Sequence, residues 1–91
     1  MERKFYLTGT VNEAIASNEQ FAKDVTKAIQ RFNSNDWGNL PQEDKDANNR
    51  DMQDRDGHIL ARYNTCIDDI YINAEFHEDA DYCLIMFCNE Y

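Results

Sequence analysis

The side chains of this chain that could do chemistry are few: Cys66, His58, His77, a run of carboxylates near the C-terminal end, and a lone tryptophan. Cys66 with either histidine has the residue types of a nucleophile and its base, but such catalysis also needs an orienting group. Neither pairing sits in a recognisable local motif. Glu75, His77, Glu78, Asp79 and Asp81 form an oxygen-rich stretch of the kind hard cations favour. It lacks the ordered D-x-D-x-D-G loop with a distal Glu, and no Cys-x-x-Cys or His-x-x-x-His spacing offers a zinc site. A metal-binding module therefore stands as a secondary reading, beside a solvated acidic turn. Gly9, Gly38 and Gly57 are isolated from one another, so no glycine-rich loop cradles a phosphate. Methyl transfer would require a larger cofactor-binding fold than 91 residues supply. Among 18 acidic residues nothing singles out a catalytic pair. The expectation is a protein without a cofactor and without catalysis. Trp37, flanked by Asp36 and Gly38, reads either as a structural plug or as a contact for a partner.

Charge is the more informative property. Residues 1–35 carry five basic and four acidic side chains, whereas residues 36–91 carry fourteen acidic and four basic ones. After Arg62 there is no Lys or Arg, while Asp68, Asp69, Glu75, Glu78, Asp79, Asp81 and Glu90 follow. Such a balance disfavours direct binding to nucleic acid, whose phosphates are held by clustered Lys and Arg. It equally disfavours an anionic membrane surface. Solubility alone is the simplest use of this charge. No apolar stretch approaches the ~20 residues that span a bilayer, and Met1-Glu2-Arg3-Lys4-Phe5-Tyr6 has no apolar run of signal-peptide type. The three cysteines, Cys66, Cys83 and Cys88, show no disulfide spacing and are expected as buried reduced thiols in a cytoplasmic setting.

The chemistry-bearing residues must be positioned by a single small domain, 1–91, with an apolar fraction of 42% that suits an ordinary folded core. Phe5-Tyr6-Leu7 is a short apolar start that reads as a strand or packing arm. Thr10 and Glu13 have capping-box spacing, which predicts a short helix over about 11–16, and Asn18 can cap the next one. Phe21, Val25, Ala28, Ile29 and Phe32 then form one apolar helix face, with Lys23, Lys27 and Arg31 opposite. Pro41, Glu43 and Asp44 suit the first turn of a third helix over 41–54. That segment is so polar that it is either largely exposed or waits for a partner. From Gly57 the period becomes two: Ile59, Ala61 and Tyr63 alternate with His58, Leu60 and Arg62, and Ile70, Ile72, Ala74 and Phe76 alternate with Tyr71, Asn73 and Glu75. Tyr82 to Cys88 is nearly all apolar, as in a central strand or one covered on both faces. Short links favour an antiparallel meander. The predicted class is α+β, two to three N-terminal helices followed by a three- to four-stranded antiparallel sheet.

Asp36-Trp37-Gly38-Asn39-Leu40, followed by Glu43-Asp44 and Asn48, resembles a pattern found in small uncharacterised proteins carried by plasmids and phages. Gly57 to Tyr63 is similar to that group's next element, Ile70-Tyr71-Ile72 with Glu75 to its following strand, and Glu90-Tyr91 to its ending. The resemblance covers roughly 36–91. This chain departs from the group at His77-Glu78-Asp79-Ala80-Asp81, where an Arg and a Thr-rich segment are common, and at Cys88-Asn89, where Pro is common. Relatives sometimes carry a label as restriction-modification subunits, yet an Asn-Pro-Pro motif cannot exist where Pro41 is the only proline.

What the resemblance implies is a mobile-element setting, in which small acidic proteins often occupy the nucleic-acid groove of a host defence nuclease. A groove whose Lys and Arg are arranged for phosphates accepts carboxylates instead. The expected function is thus a non-enzymatic inhibitor of anti-CRISPR or anti-restriction type, acting by DNA mimicry on a basic partner such as a Cas or restriction nuclease. Its expected contact residues are Trp37, Glu43, Asp44, Asp46, Asp51, Asp54, Asp68, Asp69, Glu78, Asp79 and Asp81. The rival reading is an accessory domain that self-associates through its sheet, with oligomeric state left open.

Overall fold

The computed structural model describes residues 2–91. Strand β1 (Arg3–Leu7) leads into helices α1 (Gly9–Ser17), α2 (Glu19–Asn33) and α3 (Gln42–Asp54). Strands β2 (His58–Tyr63), β3 (Ile70–Phe76) and β4 (Asp81–Phe87) follow, closed by a 3-10 turn over Cys88–Glu90. The sheet order is β1-β4-β3-β2. The β2-β3-β4 meander is antiparallel, as its short links require, but β1 lies parallel to β4. The sheet is therefore mixed, which corrects the antiparallel expectation, and one strand precedes the helices. The reason is connectivity: parallel neighbours need a long crossover, and everything between Leu7 and Asp81 supplies it.

Side-chain alternation decides which face is covered. Phe5, Ile59, Ala61, Tyr63, Ile70, Ile72, Ala74, Cys83 and Ile85 point to the helices, where Val11, Phe21, Val25, Ala28 and Phe32 meet them in one core. α2 contributes four of those helical residues, the apolar face its sequence spacing predicted. Its N-cap is Asn18, whose Oδ1 accepts from the Phe21 amide at 3.0 Å. For α1 the cap is Thr8, not Thr10: Thr8 Oγ1 accepts from the Val11 amide at 3.4 Å, and the helix starts earlier than the sequence suggested. The Thr10 hydroxyl instead reaches the Glu90 carboxylate.

The polar helix α3 is not suspended in solvent. Leu40 and Met52 pack against the core, and Asn48 is buried against β2. Asn48 Nδ2 donates to the Leu60 carbonyl at 3.0 Å, while its Oδ1 accepts from the Leu60 amide at 3.5 Å. One residue pair further on, the Arg62 amide donates to the Trp37 carbonyl at 3.1 Å and the Asn39 amide to the Arg62 carbonyl at 2.7 Å. The outer edge of β2 is thereby closed by a loop backbone and one side-chain amide. Gly38, at φ +81°, permits this approach: a Cβ there would stand 1.9 Å from the Arg62 carbonyl oxygen. Among the described residues no helix is long and apolar enough to cross a membrane.

Candidate functional site

The acidic residues fall into groups that only the tertiary structure separates. α3 ends on Arg55, in the left-handed conformation at φ 50°. From there its guanidinium crosses to the β3–β4 turn, where Nη2 donates to the His77 carbonyl at 3.2 Å and Nη1 lies 2.8 Å from Asp81 Oδ1. This link holds the end of α3 against the turn. Exposed Asp54 and Asp56 thus lie at the same end of the sheet as exposed Glu75, Glu78 and Asp79. Asp79 accepts from the Tyr82 hydroxyl at 2.7 Å, a bond that lowers its pKa and keeps it ionised. Further along α3, Glu43 and Asp46 are exposed, and helical spacing puts them with Asp54 on the side away from Asn48. Arg50 falls in the same stripe. Asp44 and Asp51 line a groove of 310 Å³ with Leu40, Ala47, Asn48, His58 and Leu60.

Four of the expected contact residues are placed elsewhere. Trp37 is only 2% exposed; its ring packs on Phe32 at 5.2 Å and its Nε1 donates to Asn49 Oδ1 at 2.8 Å. It is a core plug, so no rigid-body partner reaches it. Asp81 is buried between two cations, 2.8 Å from Arg55 and 3.8 Å from Arg3. Its position in β4 carries the same parity as Cys83 and Ile85, a signal that could have identified it as inward-facing. Asp69 is half-buried, accepting from Asn64 at 2.8 Å and from Arg62 at 2.9 Å; both bonds hold its carboxyl below the usual range. Asp68 is exposed, but the β2–β3 loop that carries it lies at the opposite end of the sheet from the β3–β4 turn.

The same geometry separates the potential nucleophile from its bases. Cys66, in the β2–β3 loop, is exposed rather than buried, and its amide donates to Asp24 Oδ2 at 2.9 Å. His58 and His77 stand at the far end, beside Glu75 and Tyr82. Among the described residues no three His, Cys, Asp or Glu side chains converge as ligands for a metal ion. Cys83 is buried and Cys88 half-buried; all three thiols are free.

Sequence reasoning missed Arg55, whose role rests on a contact 26 positions away in the chain, and the edge-closing role of Asn48. It also passed over the face of the sheet turned away from the helices. There Lys4, Tyr6, Tyr71, Asn73, Glu75, Tyr82 and Leu84 alternate with the core residues. Tyr6 stacks on Tyr82 at 6.1 Å, and the Lys4 ammonium lies 5.5 Å from the centre of the Tyr82 ring. Tyr6, Leu84 and Tyr91 are exposed on that side. Alternation in a strand with one buried face could have revealed this surface. No family model matches the chain, and no curated protein or solved structure is found to be similar to it.

Proposed function

We propose that the chain is a non-enzymatic acidic protein that binds the nucleic-acid groove of a basic partner, a defence nuclease of Cas or restriction type, and so blocks it. The observation that carries the reading is the Arg55 link, which holds the acidic end of α3 and the acidic β3–β4 turn together. Carboxylates fixed in place can meet the Lys and Arg of a phosphate groove without losing freedom at the moment of binding. The binding set is accordingly Glu43, Asp46, Asp54, Asp56, Glu78 and Asp79, with Asp44 and Asp51 at its margin. Trp37 and Asp81 support the surface from inside. A mobile-element origin belongs to the same proposal.

The test is competition. Purified restriction and Cas nucleases are titrated with the protein in the presence of labelled duplex DNA or guide RNA, at rising salt. The expected result is displacement of nucleic acid from one of them, weakening steeply with ionic strength. Joint substitution Asp54→Asn, Asp56→Asn, Glu78→Gln and Asp79→Asn is expected to lower affinity at least ~10-fold, about 1.4 kcal/mol, with the melting temperature preserved. Asp68→Asn is expected to have little effect. A complex that leaves nucleic-acid binding intact, or that survives the joint substitution, overturns the reading.

A further inference from the structure

The two edges of the sheet are treated differently. β2 is closed by Trp37, Asn39 and Asn48, as described above. β1 is the other edge. Along it the Asp81 amide donates to the Glu2 carbonyl at 2.8 Å and the Thr8 amide to the Ile85 carbonyl at 3.1 Å. Bonds to a neighbouring strand alternate, so the even-numbered residues face β4. The amide and carbonyl groups of Arg3, Phe5 and Leu7 therefore face outward, and among the described residues nothing is bonded to them. Exposed edges are usually blunted by charge, yet both cations of β1 are drawn inward. Arg3 is held by Asp81 and by the Phe32 carbonyl, and Lys4 lies over Tyr82. What stands at this edge instead is apolar: Tyr6 at 51% exposure and Leu7 at 37%.

We infer that β1 pairs antiparallel with β1 of a second copy, joining two sheets into one continuous sheet. The parity of the free groups restricts the register, because only odd residues can exchange bonds. A two-fold axis at Phe5 pairs Arg3 with Leu7 of the second copy, and Phe5 with its own counterpart. Each such pair exchanges both backbone bonds. Lys4 then faces Tyr6 of the second copy on the open face of the sheet, cation against ring. An axis at Lys4 would set like charges opposite each other, and an axis at Tyr6 would leave Arg3 unpaired. Charge favours a second copy at this edge and no other. β1 carries no carboxylate, whereas the acidic helix α3 runs along β2 and approaches β1 only where Met52 meets Arg3. The pairing joins two strands free of carboxylates, and its antiparallel sense sets the two acidic β3–β4 turns at opposite ends of the joined sheet. The inference does not depend on the acidic surface having a partner.

Sedimentation equilibrium of the full chain over micromolar to millimolar concentration is the first measurement. The expected mass rises from that of one 10.7 kDa chain toward twice that value. Leu7→Pro removes an amide that serves no bond within one copy, a position where an edge strand tolerates proline. Tyr6→Lys sets lysine against Lys4 of the second copy. Both variants are expected to keep their far-ultraviolet circular dichroism and stay at the single-chain mass. If Leu7→Pro fails to fold, Tyr6→Lys and cross-linking decide. In a Cys66→Ser background, a mixture of Lys4→Cys and Tyr6→Cys chains is expected to form a disulfide-linked pair under mild oxidation, with little from either variant alone. A chain that stays monomeric throughout without cross-linking overturns the proposal. So does a dimer that both variants retain.

Discussion

Arg55 Nη1 lies 2.8 Å from Asp81 Oδ1, so the residue that caps the C-terminus of α3 is tied to the first residue of a strand that follows it by two others. Asp81 is the only buried carboxylate among the described residues, and Arg3 approaches it from the other side at 3.8 Å. Asp81→Asn keeps the shape and removes the charge, leaving two guanidinium groups with no counter-ion. Breaking a fully buried pair costs about 3–5 kcal/mol. Because both arginines keep some water contact, the expected loss here is about 2–3 kcal/mol, read by urea denaturation. Hydrogen exchange at the C-terminal turn of α3 is expected to quicken, and unchanged protection there would refute the role given to the link.

Gly38 and Gly9 make a paired test of backbone freedom. Gly38→Ala places a methyl group 1.9 Å from the Arg62 carbonyl oxygen at a φ of +81°. Neither backbone can yield without opening the β2 edge, and the expected loss exceeds about 3 kcal/mol. Gly9, in the first turn of α1, has no atom within 4 Å of an added Cβ. Gly9→Ala is expected to stabilise by about 0.5–1 kcal/mol. Thermal melts of the two variants should shift in opposite directions.

Trp37 is predicted to matter for folding rather than for contact. Trp37→Ala empties the space beside Phe32 and is expected to cost about 3–5 kcal/mol. Trp37→Phe keeps most of the volume and loses the 2.8 Å bond to Asn49, at about 1 kcal/mol. Competition against nucleic acid should be unaffected by Trp37→Phe. A loss of competition without a loss of stability would place the ring in the interface after all.

Two aspartates paired with arginine contribute to the acid limit. The side-chain bond from Arg31, then the Gly38 amide, lowers the pKa of Asp36 below 3.8; Asn64, then Arg62, does the same for Asp69. A carboxylate whose folded pKa is depressed contributes fully above its unfolded value and loses that contribution as pH falls through the folded one. The melting temperature should therefore be little changed by these groups above about pH 5 and fall below about pH 4. Asp36→Asn and Asp69→Asn should flatten that fall, and parallel curves for all three proteins would count against the two bonds.

The thiols should separate by reactivity. Burial pushes the Cys83 thiol up to about 11, so it should react with an aromatic disulfide reagent only on unfolding. Cys66 is exposed and should react first, though local desolvation and then Asp24 raise its pKa. Half-buried Cys88 should fall between them. Three equal rates would contradict the packing of β4.

The elements of this protein were largely legible because side-chain direction repeats locally. Period two marked β2 and β3, and the spacing of Phe21, Val25, Ala28 and Phe32 marked α2. The quantity of negative charge and its bias toward residues 36–91 were likewise present in the chain itself. Four of the residues singled out between 36 and 48 build the joint between α3 and β2: Trp37 fills the core, Gly38 lets the loop approach the strand edge, Asn48 bonds to that edge, and Leu40 packs beside them. Which carboxylates remain available was decided only by the tertiary structure. Asp36, Asp69 and Asp81 are each paired with arginine, and Arg3 reaches Asp81 across nearly the whole chain. The place of β1 was decided in the same way, against a strand it meets only after every other element. Local periodicity carries no information about such partners, because distant pairing depends on how the chain returns, and that is settled by burying the core as a whole.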